Sequence, residues 1–153
     1  MDDEQRTEQG VFERGMKVRR EVLGNAHVDR AIAGTTEFTA PFQDFITRYA
    51  WGEIWSRPGL TRQERSIITL TVLAALQHEE ELATHVKAAL RNGLSEAQIQ
   101  EVLLQVGLYA GVPVANRAFA IAKRALEEDR DALFPEDMTT TGNRSFEMRN
   151  GLS

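Results

Sequence analysis

Cysteine is absent from the 153 residues. Disulfides, thiolate metal sites, iron–sulfur clusters and every thiol redox mechanism are excluded with it. No segment approaches the about 18 consecutive apolar residues that read as a membrane-spanning helix. The opening MDDEQRTEQG is acidic and polar where a secretory leader needs an apolar stretch. The expectation is a soluble, cytoplasmic protein with no membrane partner. Basic charge is also short: 18 Lys and Arg stand against 23 Asp and Glu, a formal net charge of −5. That is the wrong sign for gripping a phosphate backbone, and no basic patch is segregated, so nucleic acid is not an expected partner. Sustained apolar–polar alternation with Asn-Gly or Asp-Gly turns is missing, as are internal repeats and low-complexity segments.

What remains is ordinary for a globular protein, with 42% hydrophobic and 27% charged residues, and the length suits one domain with a real core. The apolar spacing is helical almost throughout, which predicts an all-α bundle of about six to seven helices. A first helix runs from about Asp3 to Leu23 and is stopped by Gly24-Asn25, and a short piece follows from His27 to Ala33. Thr39 precedes Ala40-Pro41 and a stripe of Phe42, Phe45, Ile46 and Tyr49 that carries on to Trp51 and Trp55, before the Ser56-Arg57-Pro58-Gly59 break. Thr61 with Glu64, and Ser95 with Gln98, have the spacing of capping boxes and open two further helices. The first of these is apolar nearly all round (Ile67, Ile68, Leu70, Val72, Leu73, Leu76), which predicts a central position. Gly93 ends the helix between them, and Gly111-Val112-Pro113 separates the last two. Residues 1–128 are expected to form the domain. Residues 129–153, where the periodicity lapses, read as a polar tail that packs on a neighbouring subunit.

Metal and nucleotide chemistry find no motif. His78-Glu79 begins like a zincin helix, but Leu82 occupies the place of the second imidazole, and His78 and His85 are about 10 Å apart along a helix axis. There is no glycine-rich phosphate loop, nucleophile elbow or EF-hand loop. No metal and no cofactor are expected.

The residue that invites attention is His85, which completes the apolar stripe Leu82, Val86, Ala89 and Leu90 with Glu81 one turn before it. A carboxylate at that spacing can orient an imidazole, fix its tautomer and raise its pKa, which suits a proton donor near pH 7. The alternative is a core histidine bonded to a surface glutamate. Tyr49, Trp51 and Trp55 are equally ambiguous between packing and a binding wall. Arg57 is either a solvated helix-end charge or a carboxylate clamp. Arg65, on an otherwise apolar helix, needs an anion: an internal glutamate such as Glu101, or a bound acid. Asn116 and Arg117 lie in the first turn after Pro113, where free N–H groups favour anions.

Three segments taken together, GMKVRREVLGNAHVDRA, ITRYAWGEIWSRPGLTRQERSIITL and HVKAALRNGLSEAQIQEVLLQVGLYAGVPVAN, closely resemble the carboxymuconolactone decarboxylase family over about residues 10 to 127. The YAGVPVAN and H-x7-G elements are shared with the wider alkylhydroperoxidase D-like superfamily. Its peroxidase branch works through a C-x-x-C pair that this chain lacks. Two departures stand out: Val114 where a smaller residue is expected, and Gln77-His78 in a loop where glycine is expected.

The resemblance implies an alkylhydroperoxidase D-like helical subunit in a ring-like homo-oligomer, typically a hexamer. It also implies cofactor-independent decarboxylation of 4-carboxymuconolactone, a small carboxylated lactone, in the protocatechuate branch of the β-ketoadipate pathway. On that footing His85, oriented by Glu81, donates a proton or stabilises the enolate, and Arg57 or Arg65 holds the acetate arm. Trp51, Trp55 or Tyr109 forms the apolar wall against the reacting carboxylate, and Asn116 joins the substrate-binding set. Rival readings are a non-catalytic assembly protein that binds a small acid, and a family member acting on a different lactone.

Overall fold

The computed structural model describes residues 7–134, and these are helical with short joints. Helix α1 spans Glu8–Leu23, capped by the Thr7 hydroxyl, which accepts from the Gly10 N–H at 3.0 Å. The expected start at Asp3 lies outside the described residues. Gly24, at φ +87°, turns the chain directly into α2, Asn25–Ala33. Only a residue without a Cβ adopts that backbone at little cost.

Helix α3, Ala40–Ile46, continues without a break into a π-helical segment, Thr47–Ile54. The sequence pattern predicts one continuous helix here; the wider winding is a finding of the structure. Helix α1 packs along this segment. Gly15 of α1 faces the Thr47 carbonyl and Gly52 faces the Val11 carbonyl, where a Cβ on Gly52 would stand 2.5 Å from that oxygen. Backbone meets backbone, and π turns of this kind are frequent at functional sites.

Helices α4 (Arg62–Ala75), α5 (Glu79–Arg91), α6 (Glu96–Ala110) and α7 (Val112–Leu133) form the larger layer. Both expected capping boxes are present, at Thr61–Glu64 and Ser95–Gln98. The joint before α5 carries Gln77 at φ +59°, a left-handed backbone held by a side chain at the position where glycine was expected. Helix α7 runs on to Leu133, past the point where the apolar periodicity weakens. Nearly all of the tail that was expected to pack on a neighbouring subunit lies outside the described residues.

Two cores result. Leu70, Leu82, Val86, Ile99, Leu103, Val106 and Ala118 fill the space between α4, α5, α6 and α7, while Val18, Val22, Val28, Trp51 and Ala88 join α1, α2, the π segment and α5. Helix α5 serves both, and His85 stands one turn before Ala88, at the seam.

The expectation that α4 is central is not met within the subunit. Ser66, Leu70 and Ala74 are buried, but Ile68 is 50% and Leu76 63% exposed, and Ile67 and Val72 are exposed as well. Its inner face packs on the core. Its outer face meets nothing among the described residues.

Candidate active site

Trp51, from the π segment, is 6% exposed and lies 5.3 Å from Trp55 between ring centroids. The His85 ring from α5 is nearly parallel to both, at 6.4 Å and 10° from Trp51 and at 6.3 Å and 21° from Trp55. The structure therefore brings the imidazole and both tryptophans together. Four residues apart on one helical segment, Trp51 and Trp55 present their rings on a common side.

This setting reverses one expectation. The pKa of His85 is not raised but lowered, to about 4: burial is the main cause, the nearby His27 adds to it, and the Glu81 carboxylate opposes both without prevailing. Burial disfavours the charged ring, and Glu81 is itself exposed, its field weakened by water. The free imidazole is neutral at pH 7, and its buried Nδ1 has no hydrogen-bond partner. A satisfied core histidine would not leave that atom idle.

Arg65 and Arg57 are joined in an unexpected way. The Arg65 guanidinium donates to the backbone carbonyl of Arg57 at 3.0 Å, two residues beyond Trp55, while the Arg57 side chain is exposed. Helix α4 is pinned in turn by Asn92, whose side-chain amide donates to the Ser66 hydroxyl at 2.8 Å. Among the described residues Arg65 pairs with no carboxylate, Glu101 included, and its buried Nε–H is unused. The internal glutamate expected as one of its two partners is thus not found among the described residues.

Tyr109 and Asn116 are not part of this cluster. Tyr109 is 81% exposed at the end of α6, and Asn116 is exposed at the start of α7. Their neighbour Arg117 makes a two-pronged pair with Glu79 at 2.7 Å, so that first turn is already neutralised. Among the described residues no group of three or more His, Asp or Glu side chains converges to hold a metal ion.

Sequence reasoning passed over two residues tied to the same region, Arg19 and His27. Arg19, on the buried face of α1, is 5% exposed and donates to the Thr47 hydroxyl at 3.3 Å and to the Gln43 side-chain oxygen at 3.0 Å. Burial, with Arg20 beside it, holds its pKa below the usual arginine value. His27 of α2 lies within electrostatic reach of Arg19 and of His85, and its pKa is lowered by burial first and then by Arg30, Arg19 and Arg91. The signal was present: Arg19 stands between Val18 and Val22 on an apolar stripe, as Arg65 does on α4.

Known proteins give this geometry a context. The carboxymuconolactone decarboxylase family model matches residues 40–124. The chain is 44% identical to the 4-carboxymuconolactone decarboxylase of Acinetobacter baylyi over 84% of its own length and 92% of the relative's. It is 37% identical to the nitrosuccinic acid decarboxylase npaB of Metarhizium robertsii, over 77% of this chain and 82% of that one. A 53-residue stretch, 35% of this chain, is 47% identical to the whole of a 4-carboxymuconolactone decarboxylase sequence from Pseudomonas putida. With more than half of its residues matched by the family model and a relative covered almost end to end, the chain belongs to the carboxymuconolactone decarboxylase family.

Proposed function

We propose that the protein decarboxylates 4-carboxymuconolactone to the β-ketoadipate enol-lactone, as a cytoplasmic enzyme of protocatechuate degradation. The observation that carries this reading is the unpartnered His85 imidazole, walled by Trp51 and Trp55, in a chain so similar to proteins bearing that activity's name.

The chemistry asks little of the protein. The substrate carries a carboxylate on the ring carbon next to the ring oxygen, and an acetate arm. Breaking the bond to CO2 sends its electron pair through the ring double bond to the lactone carbonyl, giving an oxyfuran-like dienolate. One proton, delivered to the carbon α to that carbonyl, completes the product. The protein must hold the anions, stabilise the developing oxyanion and supply that proton. The flat faces of Trp51 and Trp55 keep water from the reacting carboxylate, which favours dispersal of its charge into the ring.

His85 is neutral in the free enzyme. An arriving dianion raises its proton affinity, so the imidazole gains its proton as the substrate binds and surrenders it to the dienolate. Arg65, already aligned by the Arg57 carbonyl, grips one carboxylate; Arg57 serves through its backbone and not through its charge.

The exposed apolar faces of α3, α4 and α6, including Phe42, Ile68, Leu76 and Leu108, support a homo-oligomer, which we take to be a hexameric ring. The test is to incubate the purified protein with freshly generated 4-carboxymuconolactone and follow CO2 and the enol-lactone. Stoichiometric release of both supports the reading, and a protein that binds the acid but releases no CO2 sinks it.

A further inference from the structure

Three buried side-chain polar atoms among the described residues lack a hydrogen-bond partner: Arg65 Nε, His85 Nδ1 and Arg19 Nε. Buried orphans are costly, and native structures keep few of them. Here two are guanidinium donors and the third is an imidazole nitrogen. Arg65 and His85 already have tasks. Arg19 has none.

Its position ties it to the same site. The Thr47 hydroxyl that accepts from Arg19 stands one turn before Trp51, whose ring parallels His85. His27 interacts electrostatically with Arg19 on one side and His85 on the other. Arg65 approaches from the opposite end, through the backbone just after Trp55. Both guanidinium groups are thus tied to the stretch of chain that carries the tryptophans, Arg19 through Thr47 at its head and Arg65 through the Arg57 carbonyl just beyond its end.

A guanidinium 95% buried by exposed surface, with only the neutral oxygens of Gln43 and Thr47 for company, is an uncompensated charge. Its neighbour Arg20 is paired with Asp29 at 2.8 Å; among the described residues no carboxylate answers Arg19. A pin between α1 and the π segment needs donors, which an uncharged side chain also supplies. A full positive charge kept unpaired in the interior suits an anion that comes and goes. Both 4-carboxymuconolactone and nitrosuccinic acid, the acids named in the two longest-matching relatives, carry two carboxylates.

We propose that Arg19 is a substrate-binding residue, holding one of the two carboxylates of a small dicarboxylic acid while Arg65 holds the other. The proposal rests on the decarboxylase reading for the identity of the acid, but not for the existence of the subsite.

The decisive variant is Arg19→Gln, which keeps donors for Gln43 and Thr47 and removes the charge. With 4-carboxymuconolactone, KM should rise about 10- to 100-fold, the loss typical of a hydrogen bond to a charged group, with kcat changed far less. Arg19→Lys should recover part of that loss. A merely structural arginine would show lower thermal stability with KM within about twofold of the parent, and that result overturns the proposal.

A measurement on the unaltered protein guards against a variant that does not fold. In protein labelled with ¹⁵N-arginine, titration with glutarate should shift the Nε–H resonances of both Arg19 and Arg65. A shift at Arg65 alone, or at neither, overturns the second subsite. Should glutarate move both resonances while 4-carboxymuconolactone yields no CO2, the subsite stands and the decarboxylase reading falls. Should CO2 be released with KM indifferent to Arg19→Gln, the reverse holds.

Discussion

The imidazole of His85 lies almost parallel to the indole of Trp51, with 10° between the planes and 6.4 Å between centroids, and Trp55 takes a similar attitude from the same segment. Two indoles replace the water that would otherwise solvate an imidazolium. The ring is therefore held neutral in the free protein, and in the proposed mechanism its charge becomes available only when an anion enters. A site that must avoid wasting its proton before substrate arrives is well served by that order of events.

Replacing His85 by Ala should lower kcat about 10²- to 10⁴-fold, the span typical of losing a positioned acid or base. The fold should survive, since Val86, Ala88 and Ala89 supply the packing of that stretch of α5. CO2 release and far-ultraviolet circular dichroism, measured on one sample, check both halves. Normal turnover by the variant removes His85 from the mechanism.

The depressed His85 pKa also makes a statement about stability. The unfolded ring titrates near 6.5 and the folded one near 4. The neutral ring is thus favoured in the native state, and its stabilising difference is whole above pH 6.5 and lost as the pH falls toward 4. The loss amounts to about 3 kcal/mol at 1.36 kcal/mol per pKa unit. Urea midpoints for the parent should fall across that window, and His85→Leu should flatten the fall. Equal slopes for the two proteins would contradict the assignment.

Much of this was legible in the chain. Two capping boxes, the Gly24 stop and the Gly93 and Gly111 breaks mark helix ends that depend only on local backbone chemistry. The stripe of α5 placed His85 among apolar neighbours, and the apolar setting of Arg65 singled out a guanidinium that pairs with no carboxylate among the described residues. Three things were not legible, because each depends on what another element brings. The π winding of Thr47–Ile54 comes with the close approach of α1. The exposure of α4 depends on contacts that the described residues do not supply. The sign of the His85 shift depends on burial under tryptophans from a distant segment, whereas sequence spacing shows only Glu81.

Arg57 and Arg65 should behave differently when replaced. The Arg57 side chain is exposed and only its carbonyl bonds Arg65, so Arg57→Ala should leave KM within about threefold. Arg65→Met should raise KM about 10- to 100-fold, as expected for removing a charge-assisted hydrogen bond. Steady-state kinetics on the pair decides which guanidinium holds substrate; the opposite ranking would reassign the role to Arg57.

Ile68, 50% exposed on the outer face of α4, tests the assembly. If that face is covered by another copy of the chain, Ile68→Glu buries a charge at the contact, and sedimentation velocity should show smaller species than the parent. If the face is bare in solution, the variant sediments with the parent and stability changes by less than about 0.5 kcal/mol, as for most surface substitutions.

Gly52 carries a last prediction, because it joins the packing of α1 to the placing of Trp51. A Cβ there would meet the Val11 carbonyl at 2.5 Å and the Val11 side chain at 2.9 Å. The first of these is backbone, which cannot rotate aside, so α1 and the π segment must separate. Gly52→Ala should cost about 2 kcal/mol, within the range for overpacking, and lower the Tm by several degrees. Because Trp51 precedes Gly52 directly and Thr47, the partner of Arg19, sits at the head of the same segment, kcat should fall as well. Calorimetry and turnover should therefore decline together, whereas a loss of Tm with full activity would show that the tryptophan wall does not depend on this close approach.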